Sequence, residues 1–136
     1  MIKNKLSTFL VLIWMLFIFT MSSFNASTSS NQSNFIVNIL IDLFNINNIN
    51  NLSLIIRKLA HLTEYLILGI LIINMFNKNN FSNKYIISII ICILYAISDE
   101  IHQLFIQGRS CQITDVLIDS FGSIIGIYLY KLFRKI

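Results

Sequence analysis

A chain of 136 residues that is 56% hydrophobic and only 12% charged, with a mean hydropathy of +0.75, is far from a soluble domain, where charged residues alone make up about a quarter. It reads as an all-α, polytopic integral membrane protein, one domain over residues 1–136, with room for about four spans of roughly 20 residues. The net charge of +4 comes from lysines and arginines dispersed at the ends of apolar runs, with no aromatic-interleaved basic patch of the kind that binds nucleic acid.

Two cysteines, Cys92 in an apolar run and Cys111 in a polar loop, support no disulfide framework. The abundance of Ile, Asn and Lys reflects biased base composition, so the Asn-rich loops are not read as functional low-complexity segments.

In chain order, a short basic head precedes the uncharged run at 6–24. A secretory signal peptide is the competing reading. The run is longer than the usual hydrophobic region of about 7–15 residues, and Ala26 lacks an A-x-A partner, so an uncleaved first span is expected. Residues 22–33 form a polar Ser/Thr/Asn linker. Residues 35–44 (FIVNILIDLF) are too short to span. With Asn38 and Asp42 four apart on one face, they are expected to lie as an interfacial helix in the first loop, ended by the INNINN stretch at 46–51.

The second span is expected at 54–76. Arg57 and Lys58 stand near its start, where long side chains reach back to the headgroups. His61, Glu64 and Tyr65 share roughly one face, and Glu64 is about 10 Å deeper than Arg57 at 1.5 Å per residue. An acid at that depth should face the bundle interior or a water-filled cavity.

A polar connection at 77–84 leads to the third span, expected at 85–105. Its apolar part is short, so the helix must continue through Asp99, Glu100 and His102, with Asp99 sharing a face with His102 and Gln103. Residues 107–110 read as a turn with Gly108 supplying freedom. The fourth span is expected at 114–131, capped by Thr114 or Ser110, with Asp115 in the dipole-favoured first turn. Asp115, Asp119, Gly122 and Gly126 follow one another on one side, the two glycines forming a G-x-x-x-G packing surface.

Orientation follows from the cations. With the N-terminus inside, seven of the ten basic residues (Lys3, Lys5, Lys78, Lys84, Lys131, Arg134, Lys135) are internal and three (Arg57, Lys58, Arg109) external, a bias that puts both termini in the cytoplasm. His61, Glu64, Asp99, Glu100, His102, Gln103, Arg109, Asp115 and Asp119 then all fall at the outer side. A shared polar cavity is expected there.

The motifs RKLAHLTEYLILG at 57–69 and SDEIHQLFIQGRSCQITDVLIDSFGSIIG at 98–126 together resemble the VanZ-like family of small bacterial membrane proteins, whose namesake is associated with low-level teicoplanin resistance. The resemblance covers about 52–130. Its characteristic polar positions correspond here to Lys58, His61, Glu64, Tyr65, Asp99, Glu100, His102, Gln103, Arg109, Asp115, Asp119 and Gly122. It implies a four-helix protein of the bacterial cell membrane acting at the outer face on envelope lipids or cell-wall precursors, with a family-level link to glycopeptide tolerance. It implies no settled reaction.

Several accounts of the polar residues stay open. The cavity can recognise a lipid-linked headgroup, such as an undecaprenyl-linked or peptidoglycan precursor, with Arg109, and Arg57 or Lys58, holding phosphate. Lys58, Tyr65, Glu100, Gln103, Arg109, Asp115 and Asp119 are then binding residues. In an enzymic version, His61 or His102 acts as acid or base, with Glu64 or Asp99 orienting it. A metal site has enough nitrogen and oxygen donors in His61, Glu64, Asp99, His102, Asp115 and Asp119. The H-E-x-x-H signature is absent, and no metal is assigned from the sequence. In a purely structural account, Arg109 with Asp115, or His61 with Asp119, only locks the helices. The sequence specifies no cofactor and no oligomeric state.

Overall fold

The computed structural model describes residues 5–44 and 51–134. Five helices follow in order: α1 (Lys5–Ser22), α2 (Ala26–Phe44), α3 (Leu52–Lys78), α4 (Lys84–Gln103) and α5 (Ile113–Phe133). All but α2 are long and apolar enough to cross a membrane, so the chain is a multi-pass, all-α membrane protein as its composition predicts. The Asn-rich stretch expected to end α2 lies almost wholly outside the described residues.

Helix α3 is the axis of the bundle and contacts each of the other four helices. Its buried residues His61, Tyr65, Leu68, Ile72 and Phe76 recur every three or four positions, the spacing that keeps side chains on one stripe. Tyr65, Leu68, Ile72 and Phe76 meet Val11 and Ile18 of α1 and Cys92 and Ala96 of α4 in the apolar core. The opposite faces of α4 (Ile86, Ile90, Leu94, Ile97) and α5 (Leu117, Phe121, Ile124) are exposed, as lipid-facing surfaces should be.

Against lipid, helix association rests on close packing, and here small residues supply it. A Cβ at Gly122 would collide with the Leu62 carbonyl oxygen, one at Gly126 with that of Leu66, and one at Gly69 with that of Ser123. The G-x-x-x-G surface of α5 thus meets α3 backbone to backbone, and Gly69 answers it from the other side.

Two expectations about local structure are corrected. The polar linker at 22–33 shrinks to a turn over 23–25, because α2 begins at Ala26 and runs 19 residues. Asn25 accounts for this start, its Oδ1 accepting the Thr28 N–H at 2.9 Å as an N-cap does. Ser29, Ser33 and Val37, four apart, are buried, so α2 has a small-residue face to lay on α3. Phe35, Ile39 and Leu43 point away, exposed.

The second correction concerns the start of α5. Neither Thr114 nor Ser110 caps it; the N-cap is Gln112, in extended backbone with no side-chain cap of its own. A carboxylate from α4 substitutes: Glu100 Oε2 accepts the Gln112 N–H at 2.9 Å. Gly108 takes the left-handed φ of +77° that its turn requires. The Ala26 N–H then donates to the Gln107 carbonyl at 3.2 Å, which ties the α1–α2 turn to the α4–α5 loop.

At the other end of the bundle Tyr130, Asn74, Asn77 and Lys84 satisfy one another, while the Thr8 hydroxyl is buried without a partner. Tyr130 donates to Asn74 Oδ1 at 3.1 Å and accepts from Asn77 Nδ2 at 3.2 Å. Lys84 Nζ reaches Asn77 Oδ1 at 2.5 Å.

Candidate functional site

The start of α3, the ends of α1 and α4, the start of α5 and the α4–α5 loop converge at one end of the molecule. Of the residues singled out in the sequence, His61, Glu64, Tyr65, Asp99, Glu100, Gln103, Arg109, Asp115 and Asp119 are all buried or half-buried there. His61 Nδ1 stands 4.0 Å from Glu64 Oε2 and 3.9 Å from Asp119 Oδ1. Both are ion-pair separations rather than hydrogen bonds. The expected closeness of His61 and Asp119 is therefore present.

Asp99 is held on one side only. Its Oδ2 accepts Ser22 Oγ at 2.8 Å and Gln103 Nε2 at 3.4 Å, whereas Oδ1 is buried without a hydrogen-bond partner. Ser22 is a functional neighbour that sequence reasoning missed, because it reads as the first residue of a linker. Trp14 is another, its Nε1 donating to the Glu64 carbonyl at 2.9 Å.

The expected Arg109–Asp115 pair is absent. Asp115 Oδ1 bonds Lys58 Nζ at 2.8 Å, because Lys58 faces the first turn of α5 across the α3–α5 contact. Arg109 is turned elsewhere by the Gly108 turn, and its Nε and Nη1 are buried without partners. Burial first, and the charge of Arg57 second, pull Arg109 below its ordinary value, against an opposing pull from Asp99, Glu100 and Glu64. An arginine so placed stays charged, and its free donors point to an acceptor that the protein itself does not provide.

His102 stands apart from His61. Its ring stacks on Phe19 at 4.5 Å and its Nε2 is 3.1 Å from Ser23 Oγ, so it serves the α1–α2 turn.

Arg109 opens onto a cavity of about 270 Å³ with Arg57, His61 and Glu64 on one side and Ser29, Gln32 and Ser33 of α2 on the other. Helix α2 thus forms a wall of the cavity. An apolar groove of about 390 Å³, lined by Trp14, Phe17, Leu59 and Ile67 among others, shares Ile36, Ile56, Ala60 and Glu64 with the cavity. This chamber and the apolar groove therefore lie side by side and share part of one wall, the groove running between α1 and α3.

The family model described as VanZ/LLP1 matches residues 7–134. The chain belongs to the VanZ/LLP1 family. This match extends the resemblance of 52–130 to α1 and α2, so the helices that bring Ser22 and the α2 wall to the cavity belong to the VanZ/LLP1 unit. No curated protein and no solved structure matches the chain significantly. The chemistry of this VanZ/LLP1 chain must therefore be argued from its own side chains. Two arginines lining one cavity favour a phosphate or carboxylate, and a histidine with two carboxylates within 4.0 Å of its Nδ1 has acidic groups at hand for proton exchange.

Proposed function

We propose that the chamber binds the phosphate-bearing headgroup of an envelope lipid, such as an undecaprenyl-linked wall precursor, while the groove takes the start of its hydrocarbon chain. The observation that carries this reading is the adjacency of an arginine-lined chamber and an apolar groove that share part of one wall, which matches an amphiphile and not a free ion. Arg109, with buried donors left over, is the anchor, Arg57 the second cation, and Gln32 and Ser33 of α2 the polar wall. Lys58 and Asp115 act indirectly, holding α3 against α5. The charge bias of the sequence gives this end an extracytoplasmic position with both termini in the cytoplasm, where such headgroups are displayed.

A second reading is favoured by one observation, the placement of His61 Nδ1 within 4.0 Å of carboxylate oxygens of Glu64 and Asp119. In that reading the bound headgroup is also turned over, with His61 as acid or base. A link to glycopeptide tolerance would follow if the headgroup belongs to a wall precursor.

The test is binding of undecaprenyl phosphate to the purified protein, with phosphatidylethanolamine as contrast. Saturable binding weakened at least about tenfold in a folded Arg109→Ala variant, a loss of about 1.4 kcal/mol, is the expected result. Equal binding by wild type and Arg109→Ala would overturn the headgroup assignment. Release of phosphate that stops in His61→Gln while binding persists would move the site from recognition to catalysis.

A further inference from the structure

Behind the chamber, three side chains from three helices meet. His61 of α3, Asp99 of α4 and Asp119 of α5 each offer one ligand atom, and these atoms lie within 4.8 Å of one another. The residues are 9%, 3% and 0% exposed. His61 Nδ1, Asp99 Oδ1 and both oxygens of Asp119 are buried without a hydrogen-bond partner.

Tyr65 is an independent sign, being no member of that cluster. Its hydroxyl is fully buried, also unpartnered, and the charges that act on it most are those of Asp99 and Asp119. Unpaired buried polar atoms are costly, and so many turned toward one region imply an occupant.

We propose that this point binds one divalent transition-metal ion through His61 Nδ1, Asp99 Oδ1 and an oxygen of Asp119. The proposal rests on this cluster alone and holds whether or not the chamber takes a lipid. Geometry supports it: ligands about 2.1 Å from a tetrahedral ion stand about 3.4 Å apart. The 3.9 Å between His61 Nδ1 and Asp119 Oδ1 needs only a small closing rotation. The donor set sorts the ions, since the imidazole nitrogen suits zinc or iron(II), the two carboxylates also suit manganese, and magnesium and calcium prefer all-oxygen sites.

Charge supports it too. Glu64, Asp99, Glu100, Asp115 and Asp119 gather at this end with Arg57, Lys58 and Arg109 as the permanent cations. With all five ionised, the carboxylates would exceed the three cations by two charges, the charge of one divalent ion, and burial makes such an excess costly without a cation. The ligands are also held as metal ligands are. Ser22 and Gln103 both occupy Asp99 Oδ2, which leaves Oδ1 free to ligate. His61 lines the chamber, so an ion has an entry path and an open position on that side.

The test loads the purified full-length protein, stripped with chelator, with zinc or manganese alone, and with magnesium as contrast. Metal content after gel filtration and the thermal midpoint are measured, with no lipid present, so failure of the headgroup reading leaves the result untouched. About one zinc or manganese per chain is expected, with a Tm rise of several degrees that magnesium does not reproduce. Asp119→Asn and His61→Asn should each lower occupancy at least about tenfold, while Tyr130→Phe at the opposite end keeps it. Wild-type protein that stays folded but holds no stoichiometric metal overturns the proposal, even if both cluster variants fail to fold. Metal retained by folded Asp119→Asn and His61→Asn alike overturns it as well.

Discussion

The two ends of the bundle carry polar groups in opposite conditions. At the end holding Lys84 and Tyr130, one hydroxyl bridges two asparagines and Asn77 also takes Lys84, with the Thr8 hydroxyl alone among the described residues there buried and unpartnered. At the other end, Tyr65, Glu100, Arg109 and Asp119 each keep at least one buried polar atom without a partner. Satisfied groups stabilise and specify a bundle, whereas unsatisfied ones cost stability. The first end uses most of its polar groups within the fold, and the second keeps several buried polar atoms that the fold leaves unpaired.

Substitutions can break or sharpen that contrast. The largest effect is expected where the ends share a spine: Gly126→Val drives a side chain into the Leu66 carbonyl. It should separate α3 from α5 at about 3 kcal/mol, the upper part of the overpacking range, seen as loss of monodisperse protein in detergent. Lys58→Ala comes next. It strands Asp115, whose side chain is 12% exposed, but Lys58 itself is 43% exposed. The expected cost of about 1–2 kcal/mol therefore lies between that of surface and buried pairs, and is read from thermal unfolding.

The sharpest comparison is between two tyrosines. Tyr130→Phe removes the hub of the satisfied end and should lower stability by about 1 kcal/mol, without touching lipid or metal binding at the other end. Tyr65→Phe removes a hydroxyl that bonds nothing within the protein and should shift unfolding in the metal-free state by less than about 0.5 kcal/mol. If Tyr65→Phe proves the costlier of the two, the division of labour between the ends is wrong.

Much of this arrangement was legible in the sequence, for physical reasons. Charges are so scarce that they mark the ends of spans, and i, i+3 and i, i+4 spacing put His61, Glu64 and Tyr65 on one face. What failed to show was whatever depends on a neighbour in space. The helical part of the 22–33 run, from Ala26 on, reads as a linker because its helicity comes from the Asn25 cap and from the surface of α3, which accepts Ser29 and Ser33. Gly69 went unnoticed because its role depends on the register of α5. Arg109 is nearer to Asp115 in sequence than Lys58 is, and only the packing of α3 on α5 shows that Lys58 takes the pairing. Three-residue spacing brought His102 near Asp99, but α1 lies close enough for Phe19 and Ser23 to engage it.

Helix α1 is made before the other four helices, yet its polar contacts await residues made much later. Trp14 waits 50 residues for Glu64, Met15 waits 80 for the Tyr95 hydroxyl, and Ser22 waits 77 for Asp99. During synthesis α1 therefore precedes every helix it bonds to: α3 brings its first polar partner and α4 the remaining two. The acidic end is closed later still, when α5 supplies Asp115 and Asp119, so the last span completes the site.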